Sequence, residues 1–165
     1  MSKFKILVID DEIQIRKLLE ITLVSEDYEV ILAENGLDGV RLVASKNPDL
    51  IMLDLGLPDI NGQLVLKQLR EWFSHPIMIL SVKSDESEIV KALDNGANDY
   101  LIKPFRTQEL LARVRSHLRN KTEEFNQSII ENNHFSIELV SRIVKKNGEE
   151  IKLTQTEFNL LVILA

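Results

Sequence analysis

Residues 4–12, FKILVIDDE, carry a mostly apolar run straight into three acids. A short run rich in branched side chains reads as a buried strand. Folding alone gives no reason to gather negative charge where such a strand ends, because buried charge is costly unless it is paired or binds a metal. Asp10 and Asp11 therefore imply something to hold.

Outward from that run the pattern repeats. YEVILA (28–33), LIML (50–53, introduced by Asn47-Pro48-Asp49), IMIL (77–80) and DYLI (99–102) read as four more strands. Helical periods follow each of the five. They are carried by Ile15, Leu18, Leu19, Thr22 and Leu23; by Leu37, Val40, Leu42 and Val43; by Leu64, Leu66, Leu69 and Phe73; by Ile89, Val90 and Leu93, with Gly96 as a stop; and by Leu110, Leu111, Val114 and Leu118. Strands alternating with helices predict an α/β fold whose parallel sheet is covered on both faces. Right-handed crossovers favour a doubly wound, five-stranded sheet, with the flavodoxin-like order 2-1-3-4-5 as its expected form.

Such sheets bind ligands beyond the carboxyl ends of their strands. At those ends stand Asp10 and Asp11, then Asp54, Ser81 and Lys103, with Pro104 following. Each alone is an ordinary loop residue; together on one edge they predict a site. In the order 2-1-3-4-5 the first and third strands are neighbours, so the acids converge. Two like charges about 4 Å apart repel by roughly 4 kcal/mol at an effective dielectric near 20. Hard oxygen ligands in such a cluster suit Mg²⁺. With the ion present, Asp54 can act as a nucleophile without a general base, since a carboxylate is ordinarily ionised at neutral pH. Lys103 and Ser81 can stabilise a phosphoryl group.

At this point the residues meet a family. "IDDE" (9–12), "DLGLPDING" (54–62), "ILS" (79–81), "GANDYLIKPF" (96–105) and "ELLARVR" (109–115) resemble the receiver domain of two-component response regulators of the OmpR/PhoB class. Within that class, "DLGLPD", "LREW" (69–72) and "ALDNGA" (92–97) are most similar to regulators of potassium-uptake genes. The resemblance implies that Asp54 is the phosphorylated residue. It implies that Asp11, Asp54 and the Gly56 carbonyl bind Mg²⁺, with Asp10 acting through water. It implies that Lys103 pairs with the phosphoryl group, that the Lys103–Pro104 bond is cis, and that Ser81 and Tyr100 form the switch. The implied phosphodonor is a sensor histidine kinase, and the chain is a phosphoacceptor rather than a turnover enzyme.

The class implies a homodimer, formed on phosphorylation through the fourth helix, fifth strand and fifth helix. Asp99 and Arg113 match one of its ion pairs and Glu109 half of another. Ile89 stands where a basic residue is usual, and Asn98 and Asn120 replace an acid and a base.

The domain plan is a receiver over 1–119, a linker over 120–132 and the start of an OmpR-type winged-helix domain over 133–165. Phe135, Ile137 and Leu139 alternate as in a strand, Asn147-Gly148 is a hairpin signal, and Thr154 to Glu157 form a capping box before Phe158, Leu161 and Val162. The tail reads as a truncated DNA-binding domain, so promoter DNA is a partner of the full-length protein only.

Composition sets limits. Lys+Arg number 15 against 19 Asp+Glu up to Asn120, and 5 against 7 after it, so neither part has the basic excess of a nucleic-acid surface. With no cysteine, disulfides and thiol chemistry are excluded. No run approaches the length of a membrane span, and a cytoplasmic protein is expected. His75, His117 and His134 form no ligand constellation. Two rival functions remain: a stand-alone receiver acting by protein contact, and a Mg²⁺ phosphohydrolase. The latter expects a second carboxylate two residues after Asp54, where Gly56 stands.

Overall fold

The computed structural model describes residues 3–127, 129–131, 135–138, 143–146 and 149–151, with side chains up to 119. Its elements form two compact units, Met1–Leu118 and Arg119–Ala165.

In the first unit β1 (Lys5–Ile9), β2 (Glu29–Ala33), β3 (Leu50–Asp54), β4 (Ile77–Ser81) and β5 (Asp99–Ile102) alternate with α1 (Ile13–Ser25), α2 (Gly36–Lys46), α3 (Gly62–Arg70), α4 (Glu86–Asp94) and α5 (Thr107–Gln127), the last belonging to this unit up to Leu118. The sheet is parallel throughout, in the order β2-β1-β3-β4-β5. Alternate strand residues feed two cores. Leu7, Ile9, Ile51, Leu53, Ile77 and Ile79 pack with Val43, Val65, Leu66, Leu69, Phe73 and Ala92, from α2, α3, α4 and the turn after α3. Ile6, Val8, Met52, Met78 and Leu80 pack with Leu19, Leu23, Leu110, Leu111, Val114 and Leu118, from α1 and α5. Each fully buried Leu or Ile contributes about 1.5–3 kcal/mol relative to exposure.

Helix faces differ from expectation where small residues do the packing. Leu18, Leu37, Leu64, Val90 and Leu93 lie exposed, while Gly36, Gly39, Val65 and Ala92 are buried. A Cβ on Gly39 would sit 2.6 Å from Ile9 Cδ1, so the missing side chain lets α2 reach the sheet. Gly96 does follow the end of α4, with φ of 109° in the left-handed region.

Arg70, at the end of α3, ties two loops together at the amino edge of the sheet. Its Nε donates to Gly96 O at 2.7 Å, Nη1 donates to Phe73 O and His75 O at 2.8 Å each, and Nη2 donates to Asn98 Oδ1. Asn98 Oδ1 also accepts from Ile77 N–H at 2.9 Å. These bonds commit Asn98, a candidate dimer position, inside its own domain.

In the second unit β6 (Ile129–Glu131), β7 (Phe135–Glu138), β8 (Ile143–Lys146) and β9 (Glu149–Ile151) make an antiparallel sheet in that order. Lys146 stands opposite Glu149 in the β8–β9 register. Within the stretch expected as linker, α5 continues to Gln127 and β6 follows. Residues 120–127 contain no Gly or Pro and several helix formers, so nothing stops the helix. Leu139, Asn147, Gly148 and the capping box with Phe158, Leu161 and Val162 lie outside the described residues, as does the side chain of Asn120.

Candidate functional site

The carboxyl edge of the sheet gathers the residues expected there. Register places Ile9 beside Leu53 and Ser81 beside Ile102, so Asp10, Asp54, Ser81 and Lys103 share one edge. The ladder runs one residue further on each side: Asp10 N–H donates to Ala33 O at 3.0 Å and Lys103 N–H to Ser81 O at 2.8 Å. The Lys103–Pro104 bond is cis.

The side chains converge on one ammonium. Lys103 Nζ lies 2.7 Å from Asp10 Oδ2, 3.3 Å from Glu12 Oε1 and 3.7 Å from Asp54 Oδ2. Asp10 is fully buried and Asp54 is 7% exposed. Asp10 Oδ1 also accepts Glu12 N–H at 2.9 Å, and Asp54 Oδ1 accepts Gly56 N–H at 3.2 Å. Arg16 Nη1 donates to Asp10 O at 2.7 Å and so props the turn from β1 into α1.

Burial pushes the Asp54 carboxyl above its ordinary pKa. Asp10 and, more weakly, Asp11 add to the rise, while Lys103 and the Gly56 N–H oppose it. Burial works against the Lys103 ammonium, but contact with Asp10 and the charges of Asp54 and Glu12 outweigh it, so Lys103 stays protonated above the usual lysine range. One cation faces three carboxylates. The remaining negative charge is what a divalent ion would neutralise.

One oxygen each of Asp10, Glu12 and Asp54 lie within 4.8 Å of one another, a spacing able to hold such an ion. This trio differs by one member from the expected set. Asp11 is exposed, although its charge reaches Asp54, and Glu12 is drawn in by Lys103. Glu12 stands in the quoted "IDDE", and its position two residues after Asp10 was the signal available for it. The hard oxygens fit Mg²⁺.

A raised carboxyl pKa favours the folded state below the unfolded value of about 3.9 and loses that stability as pH rises through the folded value. Ionised Asp54 is therefore destabilising at neutral pH. We expect Asp54→Asn in chelator to melt a few degrees higher than wild type, as about 1 kcal/mol of relief would give. Added Mg²⁺ should raise the melting point of wild type by mass action and that of the variant much less. A differential scanning fluorimetry series showing equal Mg²⁺ shifts would contradict this.

Ser81, 1% exposed, accepts Lys83 N–H on its Oγ at 3.1 Å, and the Tyr100 hydroxyl donates to Lys83 O at 2.7 Å. Both candidate switch side chains thus engage the backbone of one residue in the β4–α4 loop. On the candidate dimer face Ile89 is half-buried. Asp99 is held within its own chain by Arg113 at 2.9 Å and His117 at 3.0 Å, and Arg113 also reaches Glu109 at 3.1 Å. Burial opposes the Asp99 carboxylate, but His117, the Tyr100 N–H and Arg113 together hold its pKa below the ordinary value. Its stabilising contribution is present above about pH 4 and is lost as pH falls through the folded value.

Among the described residues, no helix is long and apolar enough to cross a membrane.

Comparison with known proteins gives matches of three kinds: a family model, curated relatives and solved structures. The family model described as the response regulator receiver domain matches residues 6–115. The transcriptional regulatory protein KdpE of Mycobacterium tuberculosis is 45% identical over 162 residues, covering 97% of this chain and 72% of that protein. The response regulator ArlR of Staphylococcus aureus is 42% identical over 161 residues, covering 98% and 72%. Among solved structures, the BeF3-activated receiver domain of Klebsiella pneumoniae RstA aligns with a TM-score of 0.68 at 31% identity, covering 70% of this chain and 98% of that one. DrrB of Thermotoga maritima, described as an OmpR/PhoB homolog, aligns with a TM-score of 0.66 at 27% identity, covering 99% and 72%.

Proposed function

Because the chain belongs to the response regulator receiver domain family, we propose that it takes a phosphoryl group onto Asp54 from a sensor histidine kinase and thereby controls transcription in the cytoplasm. One observation carries this reading: a buried Asp54 at the carboxyl edge, with a protonated Lys103 3.7 Å away inside an acidic pocket.

One Asp54 oxygen forms the new bond to phosphorus as the bond to the donor's leaving group breaks, which gives an acyl phosphate. Asp10, Asp11, Asp54 and Gly56 would hold Mg²⁺, with Glu12 beside them. The ion supplies charge neutralisation for the phosphoryl oxygens. Lys103 exchanges its carboxylate contacts for the phosphoryl group, and Ser81 gives up Lys83 to donate its hydroxyl there. Tyr100 responds by shifting its own hold on Lys83, a two-state element biased by one modification. The chain is a phosphoacceptor, not a turnover enzyme.

The output is a homodimer through α4, β5 and α5, with Ile89 adding apolar contact. The charges of Asp99, Glu109 and Arg113 arrive there already paired within their own chain, and exposed ion pairs contribute only about 0–1 kcal/mol each. The second unit belongs to a winged-helix domain, promoter DNA is the partner of that domain, and the target class is potassium-uptake genes. Phosphorus NMR of protein treated with acetyl phosphate and Mg²⁺ tests the chemistry. We expect a new resonance that hydroxylamine removes, as an acyl phosphate requires. A resonance stable to hydroxylamine would overturn the assignment to a carboxylate.

A further inference from the structure

The loop from Asp54 to Gly62 carries the one backbone carbonyl assigned to the ion, that of Gly56. Its two ends are fastened locally. Gly56 N–H reaches Asp54 Oδ1, Gly62 N–H donates to Leu55 O at 3.1 Å, and the Asn61 side chain caps α3 through Gln63 N–H at 2.8 Å. Leu57 and Ile60 rest half-buried on the core. Gly56 is exposed and has no side chain, so the path of the surrounding backbone sets where its carbonyl points.

Asp59 reaches out of this loop to another element. Its Oδ1 accepts Gly36 N–H at 2.8 Å and its Oδ2 accepts Leu37 N–H at 2.9 Å. Those are free donors of the first turn of α2, a position that favours an anion. The seat is close: a Cβ on Gly36 would lie 3.3 Å from Asp59 Oδ1 and 3.1 Å from Val65 Cγ2. The same N–H groups of Leu37 and Gly36 hold the Asp59 carboxyl below its ordinary pKa, so it is ionised at neutral pH. α2 has its own cap in Asn35, whose side chain accepts Asp38 N–H at 2.9 Å. The Asp59 contact is thus an addition to local capping, made across 22 and 23 residues of sequence.

We propose that Asp59 is a positioning residue for the divalent-ion site: by clamping the β3–α3 loop to the first turn of α2, it fixes the backbone at Gly56 so that the carbonyl can serve the ion. This rests on the function proposed above.

Leu37→Pro probes the same clamp from the other side. It deletes one of the two donors, Leu37 is 64% exposed, and proline is accepted in the first turn of a helix. Calorimetric titration with Mg²⁺ alone compares wild type, Asp59→Asn, Leu37→Pro and the double variant, each below its melting point. We expect both single variants to weaken Mg²⁺ binding by about tenfold, as loss of a supporting contact to a metal site does. The double variant should bind no more weakly than the worse single one, because both remove one clamp. Asp59→Glu should recover part of the affinity. Wild-type affinity in variants whose melting points have fallen would reduce Asp59 to a structural cap and overturn the proposal. A wild type that takes up no Mg²⁺ would remove the ion site itself, and this role with it.

Discussion

Lys103→Met should cost the Mg²⁺-free protein about 3 kcal/mol at pH 8, as removal of one partner from a buried ion pair does. Methionine keeps most of the apolar stem, so the loss isolates the charge. Lys103 has 6% of its side chain exposed and Asp10 none, leaving little water to replace the ammonium. The sign with pH follows from Asp54. Its carboxyl is already raised by burial and by Asp10, and Lys103 is the charge that pulls it back down. Without Lys103 the folded pKa rises further. Stability is then present below the unfolded value of about 3.9 and is lost as pH rises through the folded value. Urea unfolding should therefore show a larger deficit at pH 8 than at pH 5.5, and Mg²⁺ should restore part of it. Equal deficits at both pH values would mean that Lys103 acts through packing alone.

The second large effect belongs to a residue with no side chain. A Cβ on Gly62 would lie 2.4 Å from Leu55 Cα and 2.7 Å from Asp54 O. Both are backbone atoms, of Asp54 and the residue after it, and neither can rotate away. Gly62→Ala should therefore cost about 3 kcal/mol or more by overpacking and displace Asp54 as well. Gly56→Ala is the internal control. Its Cβ would meet only Asp54 Oδ1, at 3.9 Å, an ordinary contact, so the change should stay within about 0.5 kcal/mol. Chemical denaturation of the two variants side by side measures the difference. A Gly62→Ala protein as stable as wild type would show that the loop yields more easily than its packing implies.

The strands were legible because a sheet buried on both faces demands continuous apolar runs, and few other structures do. Their order followed from handedness rules. The site was legible because polar residues ended four of those runs, at Asp10, Asp54, Ser81 and Lys103. Helix faces were harder to read. A period counted on large apolar residues favours Leu37, Leu64 and Leu93, whereas the surfaces in contact are built by Gly36, Gly39 and Ala92. Close approach of a helix requires an absent side chain, and an absence has no hydropathy. Asp59 and Arg70 were invisible for another reason. Apart from the Asn98 side chain that Arg70 also meets, their partners are backbone N–H and C=O groups, which every residue has, so little in the pattern of side chains marks them in the sequence. Glu12 entered the acidic group through Lys103, some 91 residues away.

Intact mass after incubation with acetyl phosphate tests the central claim most directly, on wild type and Asp54→Asn, each with Mg²⁺ and with chelator. Wild type should gain about 80 Da, one phosphoryl group, only when Mg²⁺ is present, and Asp54→Asn should gain nothing in either condition. The same gain in chelator, or in Asp54→Asn, would contradict a metal-dependent phosphoacceptor at Asp54.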